Sequence, residues 1–549
     1  MSHPLFHLDS SRKESLQFQI REQISQAILE GHLPRDVALP SSRKLARELN
    51  VARNTVMLAY EQLLEDGFLI ARERSGYFIN PEILKGRADT PVRLNDIDAD
   101  SLDWDERLAF KPSVQRAIEK PGDWHKYDYP FLYGQLDPEF FPTQHWRECS
   151  RDSMSVPSIR SWSVDHLNND DPLLIEQIHQ RLLPRRGVWA SPEEILITVG
   201  TQQALWISCM LLLKQGQRFA MENPGYVDMY NIASTFTDDI QLLPIDDKGM
   251  QPLESLKDCR LVYVTPSHQS PTTITLPLER RRQLLDMAET GNFLIIEDDY
   301  ESESNYADNP TPALKSLDRH KRVIYVGSLS KTLAPGLRLG YMVAHPTLIR
   351  EARALRRLML RHPPTNNQRA VGLFIARGYH DSLINQMHQV MQRRFLLMRD
   401  AIQRHLPMMS TPATYGGSCF WMHGPKNLNA HRLAALAREQ SILIEVGDLH
   451  FFCDRDSHRH YFRLGFSAIP EARIEAGILK LAALVPLAME EAPSVAVAET
   501  EAPETEAPET EAPETDATKT DAPEAQAQPL PPQPALPTPH GASRRQRAS

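Results

Sequence analysis

Residues 328–341 read SLSKTLAPGLRLGY, and they follow at once on RVIYVG (322–327), a short apolar run. An amine (Lys331), two hydroxyls (Ser328 and Ser330) and a guanidinium (Arg338) are thus gathered just past a candidate strand. Further runs of the same kind come earlier: EILITVG (194–200), QRFAME (217–222), IQLLPI (240–245), RLVYVT (260–265) and NFLIIED (292–298). Amphipathic helical stretches separate many of them. Short apolar strands alternating with helices predict an α/β fold, a parallel sheet covered on both faces. Ligands of such sheets lie just beyond the carboxyl ends of the strands.

Those ends carry a consistent set of groups. GTQQAL opens a helix after the first run, where the N–H groups of Gly200, Thr201 and Gln202 can hold a phosphate. NPGY follows the second, with Tyr226 available to stack on a flat ring. NFLIIE leads into Asp298, Asp299 and Tyr300. Each signal alone is weak, because a lysine or an acidic pair after a strand is most often surface charge. Together they meet three needs of one cofactor. A lysine forms a Schiff base with a carbonyl, and a buried aspartate keeps a pyridinium nitrogen protonated. A phosphate takes N–H donors, hydroxyls and an arginine.

In order and in wording, residues 130–485 resemble the fold-type I aminotransferases, enzymes of pyridoxal 5'-phosphate with a large and a small domain. SLSKTLAPGLRLGY is the specific match. The resemblance implies Lys331 as the residue joined to the cofactor, with Arg338, Ser328 and Ser330 on its phosphate. It implies Asp298 on the pyridine nitrogen, Tyr300 on the phenolic oxygen and Tyr226 stacked on the ring. In YFRLGFS (461–467), Arg463 falls where the family binds a substrate carboxylate; the plainer reading is an arginine in a surface-edge strand. Two turns depart from the family. TPSHQSPTTI stands where the enzymes read N-P-x-G, so His268 and Gln269 occupy that turn and Thr273 replaces the usual glycine. HLNNDDPLLIEQI replaces a glycine-rich string near the start of the domain. Both turns border the substrate side, which makes His268 a candidate ligand contact.

Upstream lies a unit of different character. SLQFQIREQISQAILEG has apolar residues at 16, 20, 24, 27 and 28 and ends at Gly31, the pattern of an amphipathic helix with a glycine stop. Ser41 can cap a short helix, Asn50 and Val51 make a turn, and a second helix follows from 52 to about 66 with Val56, Tyr60, Leu63 and Leu64 on one face. This is a helix-turn-helix. Arg53, Asn54 and Thr55, at the start of the second helix, are then placed to meet base edges. FLIARERSGYFI (68–79) reads as a hairpin whose tip carries Arg72 and Arg74, a wing for a minor groove or phosphates. Any three-helix core reads similarly; the basic cluster and the wing favour DNA. The segment resembles the winged helix of GntR-type transcription regulators, and the resemblance makes Arg43, Arg53, Asn54, Thr55 and Gly76 candidate DNA contacts. Ala52 stands where that family often has serine.

The chain has 549 residues, beyond one compact domain at roughly 150 residues each. The formal net charge is −10, which taken whole argues against nucleic acid. Residues 490–525 hold twelve acids and one lysine, so the acidity belongs to the end of the chain. Between 41 and 56, Arg43, Lys44, Arg47 and Arg53 face only Glu48, the local excess a phosphate-facing element needs. Five scattered cysteines fit no disulfide scaffold or metal spacing. No apolar run is long enough to span a bilayer, and the N-terminus lacks the apolar core of a signal peptide. The expected organisation is a winged helix at 12–80, a linker at 81–130, an aminotransferase-like domain at 131–488 and a disordered acidic, proline-rich tail at 489–549.

A GntR-type winged helix joined to an aminotransferase-like body resembles the MocR subfamily of bacterial regulators. The resemblance implies a cytoplasmic, nucleoid-associated protein that binds double-stranded promoter DNA, carries pyridoxal phosphate and forms a head-to-tail homodimer. It implies sensing of a small amino compound, which would displace Lys331 and form an external aldimine. The rival readings are an active aminotransferase with an autoregulatory DNA-binding head, and a regulator that senses pyridoxal phosphate itself.

Overall fold

The computed structural model describes residues 6–489, apart from 10, 35–36, 86–101, 136, 166, 306–310, 413 and 415. The middle of the expected linker, 86–101, and the expected disordered tail from 490 onward lie outside the described residues. The chain divides into two compact units, one ending at Ser113 and the other beginning at Val114.

In the first unit, Ser15 caps helix α1 (Leu16–Leu29) by accepting from the Phe18 N–H, and Ile20, Ile24 and Ile28 bury its apolar face. Ser41 does the same for α2 (Ser42–Glu48). Asn50, at φ 53°, turns the chain into α3 (Arg53–Glu65), which buries Val56, Ala59, Tyr60 and Leu63. The hairpin of β1 (Leu69–Arg72) and β2 (Gly76–Ile79) pairs Leu69 with Ile79 and Arg72 with Gly76. Leu69 and Ile79 close the core over α1 and α3. Each large aliphatic side chain so buried contributes about 1.5–3 kcal/mol.

The second unit is built on an eight-stranded sheet. Its strands are β3 (Ile195–Thr198), β4 (Phe219–Asn223), β5 (Ile240–Asp246), β6 (Gly249–Met250), β7 (Leu261–Val264), β8 (Leu294–Asp299), β9 (Val323–Ser328) and β10 (Gly340–Val343). They lie in the order β3-β10-β9-β8-β7-β4-β5-β6. All six expected strands are present. β9, β8, β7, β4 and β5 run parallel, and every residue of β7 is buried, as a sheet covered on both faces requires. β3 shares their direction, because it pairs antiparallel with β10, which is itself antiparallel to β9; the corrections to the all-parallel expectation are the short edge strand β6 and, above all, β10. The physical reason is the segment after β9, which folds back so that GYMV returns as β10, antiparallel to β9 and inserted between it and β3.

A smaller antiparallel sheet follows: β11 (Cys419–His423), β12 (Glu445–Val446) and β13 (Tyr461–Gly465), with β13 in the middle. Arg463 is therefore central and 3% exposed, not on a surface edge. Helices α4 (Tyr379–His405) and α5 (Glu471–Leu484) cover this sheet through Phe395, Met398, Ile474 and Ile478, packed with Phe420, Phe462 and Leu464. Residues 114–130, in the latter part of the expected linker, are bound into this unit. Gln115 donates to the Asn231 carbonyl, Arg116 to that of Phe451, and Tyr129–Pro130 pairs with Ile442–Leu443. Among the described residues no helix is long and apolar enough to cross a membrane.

Candidate cofactor and ligand site

Strand order decides where the chemistry gathers. β8 and β9 are neighbours in parallel register, Val326 beside Asp298 and Gly327 beside Asp299, so Asp298 and the Lys331 turn emerge at the same sheet end. Gly340 of β10 pairs with Thr198 of β3, which brings the start of the helix at Gly200–Leu212 to that end too. A cavity of about 230 Å³ opens there, lined by Lys331, Asp298, Tyr300, Tyr226, Thr201 and Arg463 among others.

Lys331 lies half-buried beside Tyr133. Its Nζ donates to the Tyr133 hydroxyl at 3.3 Å and lies 4.3 Å from the ring centroid. Burial lowers the amine to about 8; Glu301 opposes the shift, and Lys120 and Arg463 reinforce it. Asp298 is 3% exposed, and its Oδ2 accepts from the Tyr263 hydroxyl at 3.0 Å. Its Oδ1 is buried without a partner. Burial pushes this carboxyl up to about 7, against the Tyr263 hydrogen bond. The adjoining Asp299 has a structural part. Burial raises its carboxyl, and Arg186, 2.8 Å away, outweighs burial and holds it below the ordinary value; Tyr325 also donates to it.

The proposed phosphate end is equally specific. Gly200 sits at φ +72°, and a Cβ there would stand 2.8 Å from Arg338 Nη2. Only glycine lets the guanidinium lie against the first turn of that helix. Ser328 accepts from the Lys331 N–H, which leaves its own proton to give. Ser330 uses its hydroxyl on the Leu339 backbone, donating at 3.1 Å and accepting at 2.8 Å, and so ties the turn together. The Gln202 side chain turns to Asp228, to which its Nε2 donates at 3.0 Å.

These residues fit pyridoxal phosphate. Asp298 offers an unpartnered carboxylate oxygen to a pyridinium N–H. Arg338 and the N–H groups at Gly200 and Thr201 would receive the phosphate, and Lys331 would supply the amine.

Two sequence assignments change in detail. The His268 ring does not line the cavity. It is buried under Gly416, where a Cβ would stand 2.5 Å from His268 Nε2, and its backbone carbonyl accepts from the Tyr300 hydroxyl at 2.8 Å. Tyr300 reaches the cavity but spends its hydroxyl proton on that turn. Thr273 adopts φ +62°, the left-handed geometry a glycine would take, so the turn keeps its shape at a cost in strain.

Four residues of the site had no signal in the sequence. Tyr133 packs Lys331 on one side, while the Arg463 guanidinium lies 4.1 Å from the same ring centroid. Glu445 accepts from Arg463 Nε at 2.9 Å and Nη2 at 2.5 Å. Lys120 pairs with the other Glu445 oxygen at 3.1 Å and donates to the Tyr133 carbonyl. His450, held by the Gly225 carbonyl at 2.9 Å, completes the wall. Burial raises the Glu445 carboxyl, and Arg463 and Lys120 outweigh it, so it stays below the ordinary value.

In the first unit Arg53 and Asn54 project from the exposed start of α3, with Thr55 half-buried. Arg53 Nε donates to Ser42 Oγ at 3.5 Å, and Arg43 is exposed on α2. In the wing, Arg72 lies over the Phe78 ring at 4.3 Å, and Gly76 is exposed at φ +103°.

Residues 16–79 match the family described as bacterial regulatory proteins, gntR family, and residues 166–481 match aminotransferase class I and II. The HTH-type transcriptional regulator TauR of Rhodobacter capsulatus is 40% identical over 477 residues, 87% of this chain and 98% of that protein. The probable rhizopine catabolism regulatory protein MocR of Rhizobium meliloti is 31% identical, over 73% of this chain and 79% of its own. Among solved structures, the kynurenine aminotransferase of Pyrococcus horikoshii superposes with a TM-score of 0.63 at 25% identity, covering 70% of this chain and 98% of that one.

Proposed function

Because the chain belongs to the MocR subfamily of GntR-type transcription regulators, with a pyridoxal-phosphate body of the aminotransferase class I and II family, we propose that the body senses an amino compound and the winged helix answers by a change in promoter affinity. The observation that carries the reading is the pairing, in one cavity, of the Lys331 amine with a buried, unpartnered Asp298 oxygen. Pyridoxal phosphate supplies an aldehyde that condenses reversibly with primary amines, Lys331 in the resting protein and the effector when it is present. Asp298 holds the proton of the ring nitrogen, Arg338 and the helix start at Gly200 anchor the phosphate, and Tyr226 and Tyr263 close the ring site. Arg463 faces the acid end of the effector. Arg43, Arg53, Asn54 and Thr55 meet the major groove, and Arg72 with Gly76 brings the wing to the backbone. The protein acts in the cytoplasm as a homodimer, the arrangement that reads two half-sites. Effector binding has to favour one arrangement of the DNA-binding units by a differential free energy, typically about 1–3 kcal/mol.

The test is a single turnover of the yellow holoprotein with a panel of amines and amino acids, followed by its spectrum and by DNA binding. A spectral change that persists without keto product and shifts DNA affinity supports the sensor. Stoichiometric pyridoxamine phosphate and keto product support the rival, a working aminotransferase. A difference in DNA affinity between cofactor-free and cofactor-loaded protein, with no amine effect, supports sensing of the cofactor itself.

A further inference from the structure

A second, smaller opening adjoins the cofactor cavity, and Lys331 lines both. It is a recess of about 50 Å³, walled by Gly134, Glu301, Glu303, Ser418 and, from α4, Met387 and Met391. Sites for whole small molecules measure about 300–1,000 Å³, whereas about 10–15 Å³ suffices for one water. The recess therefore has room for an ammonium group and none for an effector.

Glu301 is its most exacting wall. The residue is 8% exposed; its Oε1 accepts from Ser418 Oγ at 2.5 Å, and its Oε2 is buried without a partner. The segment that carries it is pinned, since the Ser304 N–H donates to the Glu301 carbonyl at 3.0 Å and the Gly417 N–H to the Ser304 carbonyl at 2.7 Å. An unmet oxygen in a dry site is costly, more so when it is charged. The other titratable groups of the recess are otherwise disposed. Burial raises the Glu303 carboxyl against Arg185 and Arg186, and His388 uses Nε2 on the Asn305 carbonyl at 2.8 Å.

Lys331 is the one lysine or arginine lining the recess among the described residues. Of the charged groups around its amine, Glu301 does most to favour the ammonium; Glu445 assists, and Lys120 and Arg463 oppose. The amine already leans toward the recess. Gly134 borders the recess and not the cofactor cavity, and a Cβ on it would stand 2.8 Å from Lys331 Nζ.

We propose, resting on the assignment of Lys331 as the lysine joined to the cofactor, that this recess seats the Lys331 ammonium whenever that bond is broken. Glu301, aimed by Ser418, is the positioning residue that receives it. When an amine displaces the lysine, the effector nitrogen forms the C=N bond to the aldehyde carbon and the protonated C=N link to Nζ breaks. Two protons pass from the effector's ammonium to Nζ, so atoms and charge balance and the lysine leaves as an ammonium. Every effector releases the same group. The recess thus sets how readily the site exchanges amines, and not which amine it prefers.

The experiment has two arms on the full-length protein. In the first, cofactor-free protein is labelled with trace acetic anhydride across pH, and the Lys331 peptide is read by mass. Glu301→Gln, which can still accept from Ser418, is expected to lower the labelling midpoint by at least about one pH unit from the wild-type value near 8. Gly134→Ala, which blocks the seat and keeps the carboxylate, is expected to lower it too. Ser418→Ala is expected to stay within about half a unit of wild type. An unmoved midpoint in either of the first two variants overturns the seat, and so does an equal fall in Ser418→Ala, which marks a general loosening. In the second arm, n-alkylamines and amino acids titrate the visible spectrum of cofactor-loaded protein. At about pH 6 Glu301→Gln is expected to weaken both probe classes about tenfold, and at about pH 9.5, where the released amine is neutral, the loss is expected to vanish. A loss confined to one class, or equal at both pH values, overturns the receiving role. A wild type whose spectrum answers to no amine overturns the sensor reading, and the labelling arm then decides the seat by itself.

Discussion

At Lys331, burial brings the amine down to about 8, near enough to physiological pH for an appreciable unprotonated fraction. Replacing it with alanine removes the amine assigned to hold the cofactor covalently and leaves Lys120 as the other amine lining this cavity. Lys331→Ala is expected to lose the visible absorbance of the bound cofactor while keeping basal DNA binding; a surviving covalent chromophore, trapped by borohydride on another peptide, contradicts the assignment. Asp298 gives a pH signature in the cofactor-free protein. Its carboxyl rises from 3.8 to about 7 on burial, so the folded state binds a proton that the unfolded chain releases over that interval. The resulting stability is complete below the lower value and is lost as pH rises through the upper one. Asp298→Asn cannot ionise, so its melting temperature relative to wild type is expected to improve between pH 5 and pH 8 without cofactor. A constant difference across that range counts against the buried, uncompensated carboxyl. Lys331, Asp298, Arg338 and Arg463 were legible because each sits in a recognisable string, within a strand or just after one. Lys120 was not, because it lies in a polar stretch, IEKPGDW, with no periodicity to announce burial. Glu445 was hidden for a related reason: its strand is two residues long.

Among the elements, α3 begins without a side-chain cap. Ala52 has capping geometry, φ −63° and ψ 139°, but no oxygen to accept the free N–H groups, whereas Ser41 serves α2. Ala52→Ser is expected to stabilise the first unit by about 1 kcal/mol, seen as a rise of roughly 4–8 °C in its own melting transition. Arg53→Ala, on the exposed first turn of the same helix, is expected to cost about 1–3 kcal/mol of specific DNA affinity with little effect on non-specific binding. An equal loss on both makes Arg53 a phosphate contact. The six apolar runs announced their strands because full burial on both faces leaves few polar positions in them. β10 escaped notice because GYMV reads as the end of the lysine string, and its direction is set by the fold of the preceding turn, not by its own residues. The winged helix was the most legible element, since caps, turn and hairpin tip each have a local cause.

For the whole molecule, the proposal of a homodimer predicts a solution mass twice the 62.5 kDa of the chain, measured by light scattering at concentrations where DNA is bound specifically. A monomer under those conditions contradicts paired half-site reading. The division of the chain has a further consequence. Lys120 and Ile118 precede the first strand pairing of the second unit, yet both wall its cavity. Anyone excising this portion for crystallography or ligand screening would naturally cut at its first strand, near residue 130. Such a fragment would keep the anchor for the cofactor and lose a wall of the chamber, and its binding profile would be that of a different, more permissive receptor. A cut ahead of Val114 preserves the wall, so the shortest faithful fragment begins well before the sheet does.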